Sequence, residues 1–425
     1  MQQKKVVLGA GIAGLGVYHA DPSAEIYEAS DGAGGLCSGF SVGDFYFDRA
    51  VHLSFSKDPL VREIFDRTPQ YTHIPSPYSF VHGTWLRHPA QNNLYPLPPG
   101  EKVEAVKGFL KRKGRGRDTG SFARWLLDGY GEYLYGMVFK PYNEKYWCTD
   151  LEGMGTAWIG DRIYQPTLDE VLLGTYMGET PNTYYAKKMY YPIGGGYFQY
   201  LKGMVGEAMS RGKLHLYKKA VRVDPEGRMV YFADGTKTQY DGLYSSIPLP
   251  ELLRMVDGVP KGILGKGEGL EHTGVALVSM GLRGCRVGKL WFYIHDADIM
   301  AARAYMPSVK SPSNVPDGCA SIQFEIYFNG RHGGAPGEGA AVADCLAALE
   351  KLGVAGRGDV LFTDYRVLPY GNIIGLKQTE KDLPGILSWL NEVGITPVGR
   401  FGRWEYLWSD QAFLSGYHAG IKGKG

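Results

Sequence analysis

The chain has 425 residues, of which 44% are hydrophobic and 21% charged, and its formal net charge is +2. That length exceeds what one hydrophobic core organises, and the balance excludes both a disordered chain and a strongly basic nucleic-acid binder. Sixty glycines predict many tight turns, and no apolar run reaches the roughly 20 residues of a membrane span.

In chain order, residues 5–9 (Lys-Val-Val-Leu-Gly) read as a buried parallel strand, Ile12–His19 as a short helix and Ala24–Glu28 as a second strand. A glycine-rich loop follows at Gly32–Gly35. Residues 40–55 read as short strands ending in Val51-His52-Leu53-Ser54, and a helix is expected from Asp58 through Phe65. Residues 70–100, rich in Pro, Tyr and His, read as strands and loops, and 100–180 as a mostly helical block. Within Ser121–Val138 the residues Phe122, Trp125, Leu126, Leu134 and Met137 recur at helical spacing, with Ser121 as N-cap. This helix is expected to stop at Lys140, because Pro141 restricts its predecessor and donates no hydrogen bond. A further helix is expected at about 197–210, then a strand meander over 214–247 with turns at Pro225-Glu-Gly227 and Ala233-Asp-Gly235. Its last strand, Asp241–Ser246, is suited to rejoin the first sheet. Strands near 273–283, 289–295 and 319–328, a helix at about 338–353 and a last helix near Gln411 complete the pattern.

The five cysteines (Cys37, Cys148, Cys285, Cys319 and Cys345) are scattered, with no C-x-x-C pair and no metal-ligand spacing. They point to reduced thiols in a cytoplasmic protein without a metal site. The N-terminal Met1-Gln-Gln-Lys-Lys runs straight into a strand without a signal-peptide core. The densest basic run, Lys111–Arg117, is short, contains glycines and reads as a solvated loop.

Gly9-Ala10-Gly11-Ile12-Ala13-Gly14 is a G-x-G-x-x-G that follows an apolar strand, opens a helix, and precedes Glu28 at the end of a second strand. That context makes it a dinucleotide-binding loop. Gly9 permits the tight turn, Gly11 the approach of a pyrophosphate, and Gly14 the packing of helix on strand. The helix N-terminus offers free N–H groups at Ile12 and Ala13, and Glu28 is placed to accept from ribose hydroxyls. NAD and FAD both use this unit. The second glycine-rich segment, Gly32-Ala-Gly34-Gly35-Leu36-Cys-Ser, resembles the extension of the amine-oxidase and mutase superfamily beside the pyrophosphate and flavin, which favours FAD.

Several further stretches resemble one family, the UDP-galactopyranose mutases, in particular the eukaryotic-type branch. Phe47-Asp-Arg-Ala-Val-His52 is similar to the segment whose histidine loop lies beside the isoalloxazine, with Ala50 and Val51 where the family has glycines. Pro89-Ala-Gln91-Asn-Asn93 resembles a substrate-cleft motif. Pro141-Tyr-Asn143-Glu-Lys-Tyr-Trp147, followed by Arg162, resembles the motif that meets the sugar diphosphate and flavin. Tyr293 with Arg303, the weaker match at Tyr370, and Gly399-Arg400-Phe-Gly-Arg-Trp-Glu-Tyr406 complete the set, and Asp410 stands where the family has asparagine.

The resemblance implies an α/β fold: a Rossmann-type FAD-binding domain (1–70, 186–260 and 366–425) with an interleaved helical domain (101–185) and an antiparallel-sheet substrate domain (71–100 and 261–365). It implies catalytic roles for His52, Arg162 and Arg303. It implies FAD contacts from Gly9, Gly11, Ile12, Ala13, Gly14, Glu28, Gly34, Gly35, Leu36, His52, Val221, Arg400, Asp410 and Gln411. Gln91, Asn93, Asn143, Trp147, Arg162, Tyr293, Arg303, Tyr370 and Tyr406 would bind substrate. The activity implied is pyranose–furanose interconversion of a nucleotide-diphosphate sugar, UDP-linked, for cell-surface polysaccharide synthesis, through an adduct at N5 of flavin that NAD(P)H has reduced. Two rivals stay open. One is an FAD-dependent oxidoreductase of the amine oxidase or protoporphyrinogen oxidase type, and the other a scaffold that keeps FAD as a structural element.

Overall fold

The computed structural model describes residues 3–114 and 120–423. Five short strands make a parallel sheet in the order Ile395–Pro397, Gly242–Ser245, Lys5–Leu8, Glu25–Tyr27, Leu214–His215. Val6, Val7 and Leu8 are all buried, as a strand covered on both faces requires. The strand predicted to rejoin this sheet does so, with Leu243 opposite Val6 and Tyr244 opposite Val7.

On this sheet the helix Ile12–Ala20 lies against the helix Ser409–Lys422, backbone to backbone. A Cβ at Gly16 would stand 2.3 Å from the Phe413 carbonyl oxygen, and one at Gly416 would stand 1.9 Å from that of Ala13. Only glycine allows this approach.

A second, seven-stranded sheet runs Val360–Ile373, His272–Leu282, Ala320–Phe328, Arg303–Tyr305, Trp291–Ile294, Tyr78–Val81, Thr84–Arg87. Successive residues of His272–Leu282 serve two cores, as the alternation of a strand dictates. Ala276, Val278 and Met280 pack with Ala341, Cys345 and Leu349 of the helix Glu338–Lys351. Val275 and Leu277 face a helical layer that includes Phe122–Tyr130 and Lys140–Trp147. The α/β architecture read from the sequence is thus the one observed.

Three local expectations need correction. The helix begun at Ser121, which accepts from the Arg124 N–H, breaks at Gly131 (φ 82°) and does not stop at Lys140. A π turn over Tyr135–Phe139 feeds a new helix at Lys140–Trp147, and Pro141 sits in that helix's first turn. Residues 51–53 are not a strand. The chain leaves the hairpin Gly39–Val42/Phe45–Asp48 through a left-handed Ala50 (φ 74°), and only Ser54 pairs, with Tyr190. The long bulged strand Val360–Ile373 and the helix Lys377–Glu392, which contains Pro384, have no counterpart in the sequence pattern.

Of the basic run, Arg112 donates from Nη1 to the Phe109 carbonyl at 2.7 Å, and residues 115–117 lie outside the described residues. No described helix is long and apolar enough to cross a membrane.

Candidate active site

The glycine loop forms one end of a cavity of about 1040 Å³. Gly9 has φ +94°, and a Cβ there would meet the Ser246 hydroxyl at 2.4 Å; a Cβ on Gly14 would stand 2.0 Å from the Gly9 carbonyl oxygen. Gly11 differs, since a Cβ there would meet nothing within 4 Å. Protein packing therefore does not demand glycine at Gly11, and the open space is the cavity's own. Gly34 and Gly35, at φ +109° and +55°, run alongside, with Gly34 bridged to Gly11. The helix Ile12–Ala20 has no side-chain cap, so its first N–H groups stay available to an anion. One Glu28 oxygen accepts from the Ala10 N–H at 2.8 Å, the other from the N–H and hydroxyl of Ser30 at 2.9 and 2.8 Å. An uncapped helix start, a vacant Cβ position and a fixed carboxylate are what the phosphate and ribose of a dinucleotide require.

Six cationic side chains line the cavity (Arg49, Arg162, Lys218, Lys219, Arg303 and Arg400) against two carboxylates, Glu28 and Glu251. An otherwise near-neutral chain thus concentrates positive charge in one place. Arg162 donates from Nη1 to the Trp158 carbonyl at 2.8 Å and from Nη2 to that of Tyr406 at 2.7 Å. Its guanidinium lies 4.7 Å from the Trp408 ring, and its buried Nε has no partner among the described residues. Burial lowers its proton affinity, and its bonded partners are carbonyls, so its charge is left for a ligand. Arg303 is different. Burial opposes its charge, yet Glu325 and the surrounding tyrosines hold its pKa well above the ordinary value. Its Nε meets Glu325 at 2.5 Å and its Nη2 the Tyr327 hydroxyl at 2.8 Å. Arg400 donates to the Leu407 carbonyl (2.7 Å) and to Asn372 Oδ1 (3.2 Å).

Between these ends lies His52, on the turn made by Ala50. A non-glycine residue in the left-handed region costs about 1–2 kcal/mol. The His52 Nδ1 is 3.2 Å from the Ala50 carbonyl, which leaves Nε2 as the free ring nitrogen. Burial pushes its pKa down to about 4, so the ring is neutral at pH 7. Behind it the wholly buried pair Asp48–Lys310 anchors the strand, with Asp48 also accepting from the Tyr191 hydroxyl (2.7 Å) and the Tyr197 N–H (3.0 Å).

The aromatic wall is continuous. The Tyr146 and Tyr406 hydroxyls are 2.8 Å apart, and Trp147 stacks at an angle to Trp158 and Tyr406. Asn143 donates to the Phe139 carbonyl (2.8 Å), at the start of its own helix, and accepts from Trp147 Nε1 (3.2 Å). Gln91 donates to the Tyr164 carbonyl at 2.8 Å. Gly9, Gly11, Ile12, Ala13, Glu28, Gly34, Gly35, Leu36, His52, Gln91, Asn143, Trp147, Arg162, Tyr293, Arg303, Tyr370, Arg400 and Tyr406 all line this one cavity.

Five sequence-derived residues do not line it. Gly14 lies behind the loop in a packing position. Asn93 turns away, bonding the Pro89 carbonyl and the Thr180 hydroxyl. Val221 is 46% exposed on the far face of its strand, and its neighbours Lys219 and Ala220 take its place. On the last helix Ser409 and Ala412, three residues apart on one face, line the cavity, while Asp410 and Gln411 do not; Gln411 accepts from the Trp408 N–H. Tyr370 lines the cavity but gives its hydroxyl to Glu251 at 2.8 Å and stacks on His272.

The sequence reading also overlooked several lining residues. His295 follows Tyr293 by two, so it shares that residue's strand face, and His88 immediately precedes the Pro-x-Gln-Asn-Asn motif. His295 donates from Nδ1 to the Val138 carbonyl at 2.7 Å, leaving Nε2 buried and unpartnered. Among the described residues no cluster of His, Cys, Asp and Glu could hold a metal ion.

No protein-family model matches the chain. Among solved structures it is similar to reduced UDP-galactopyranose mutase at 21% identity, over 100% of this chain and 95% of the other, with a TM-score of 0.93. It is also similar to a candidate protoporphyrinogen oxidase from Exiguobacterium sp. (16%, 100% and 99%, TM-score 0.75). Putrescine oxidase bound to putrescine matches at 13%, over 100% and 99%, with a TM-score of 0.69. The likeness to each of these three solved structures is one of overall fold.

Proposed function

We propose that the chain is an FAD-dependent enzyme that interconverts the pyranose and furanose forms of a nucleotide-diphosphate sugar, UDP-linked, with NAD(P)H as external reductant. The observation that carries this reading is Arg162, whose charge, among the described residues, is bonded to carbonyl oxygens and faces aromatic rings in a cavity continuous with the glycine cradle. Similarity of fold to reduced UDP-galactopyranose mutase supports it.

In this reading the Gly9–Gly14 loop, Glu28 and the Gly34–Leu36 segment hold the ADP half of FAD, and Arg400 holds its remainder. When bound, reduced flavin supplies the electron-rich centre that displaces the nucleotide from the anomeric carbon. Arg162 and Arg303 grip the diphosphate and stabilise its charge as it departs. Tyr293 and Tyr406 add hydroxyl donors, Asn143 and Gln91 fix the orientation, and Trp147 excludes water. Neutral His52 accepts a sugar hydroxyl's hydrogen bond at Nε2.

The second reading, an FAD-dependent oxidoreductase, draws on Arg303, whose charge already faces Glu325, and on the similarity to the two oxidases. One anaerobic experiment decides between them. Dithionite-reduced protein is incubated with UDP-galactopyranose and other nucleotide sugars, and the products are separated by chromatography. A new isomer formed only by reduced protein is the expected result. Turnover confined to oxidised flavin, or none on any nucleotide sugar, sinks the mutase reading.

A further inference from the structure

Glu325 belongs to no motif singled out in the sequence, yet it is fully buried at the centre of the seven-stranded sheet, directly across the ladder from Arg303. Its Oε2 takes the Arg303 Nε–H and the Tyr327 hydroxyl (2.7 Å), and its Oε1 takes the Val51 N–H at 2.7 Å. One carboxylate therefore holds the anion-facing arginine and the turn that carries His52. Its three hydrogen-bond partners all donate, a pattern that an acceptor with two oxygens satisfies. The turn needs holding, because Ala50 stands at φ +74° where glycine would rest without strain.

We propose that Glu325 is a positioning residue that couples the two halves of the site, aiming Arg303 through one oxygen and fixing the Ala50–Val51 peptide, and with it His52, through the other. This rests on the reading of the cavity as a site for FAD and a nucleotide diphosphate. A glutamine would set its NH2 against one of the donors and could serve only one side of the coupling.

The test uses FAD-loaded protein and UDP as the probe. Glu325→Gln should retain FAD, bind UDP on the order of tenfold more weakly, and shift the visible absorption maximum of the flavin. Adding Ala50→Gly should return the flavin band to its wild-type position without restoring UDP affinity, since glycine adopts the left-handed turn without strain. An unchanged band and affinity in Glu325→Gln overturn the proposal. So does a shift in both that Ala50→Gly leaves untouched, which would mark a general packing defect. If Glu325→Gln does not fold, Glu325→Asp, with its shortened reach, carries the same two readouts and the same reversing outcomes. Failure of the wild-type protein to bind UDP would instead count against the proposed function, so the two failures are distinguishable.

Discussion

At the Gly9–Gly14 end the cavity wall is backbone, made of glycines at positive φ, an uncapped helix start and one carboxylate held by main-chain N–H groups. At the Arg162–Arg303 end it is side chains, brought by a loop, a helix and three strands from positions more than a hundred residues apart. The first end tolerates change in side chains and none in backbone space. The second tolerates backbone variation as long as a few long side chains arrive together. A backbone site is therefore written in one short stretch of sequence, whereas a side-chain site is written in the fold.

Substitutions test this contrast directly. Gly14→Val should have the largest effect, because even the first carbon of its side chain would enter the Gly9 carbonyl. A loss of roughly 3 kcal/mol or more and failure to retain FAD are expected, read by calorimetry and flavin absorbance. A Gly14→Val protein that kept its flavin would show that the wall is not rigid backbone. Arg162→Ala should leave FAD in place and weaken UDP binding by about 3 kcal/mol, roughly a hundredfold, in titration calorimetry. Flavin loss as its main effect would merge the two ends into one.

A smaller effect concerns acid. Burial pushes the pKa of His295 down to about 4, below the 6.5 of an exposed ring. Between those values the unfolded chain takes up a proton that the folded chain refuses, so stability present above pH 6.5 is lost as pH falls toward 4. His295→Gln should flatten urea-unfolding stability across that window by up to about 1.4 kcal/mol per pH unit. An unchanged slope would mean that the ring is protonated in the folded state. Last, Asp410→Asn should alter FAD affinity by no more than about twofold, or roughly 0.4 kcal/mol, because the side chain does not line the cavity. A larger change would extend the site onto that face of the helix.

The same contrast explains what the sequence disclosed. Gly9, Gly11, Gly14 and Glu28 were legible because strand, turn and helix are adjacent in the chain, with Gly14 packed on the Gly9 carbonyl and Gly11 left open to the cavity. The helix Phe122–Tyr130 was legible from its spacing, but its break at Gly131 was not, because continuing through Pro141 depends on the π turn that precedes it. Arg162, Arg303 and Tyr406 could be proposed from family resemblance alone, since nothing in their own neighbourhoods aims them at one space. Tyr370 shows the limit of that route. Its motif is present, yet a carboxylate from a distant helix claims its hydroxyl. The side chains of Val221 and Asp410 lie a single step along a strand or helix from the lining residues Ala220 and Ser409, where one residue's shift exchanges the inner face for the outer. Glu325 was not read from the sequence, because two of its three partners, Val51 and Arg303, come from distant segments.

The glycine contact between Ile12–Ala20 and Ser409–Lys422 has a consequence for how the molecule is made. The loop is braced by a helix encoded far downstream of it, so on the ribosome it waits for that helix to emerge. Cofactor capture would then be a late event in biosynthesis. A nascent chain stalled before Ser409 should emerge empty, however complete its nucleotide motif.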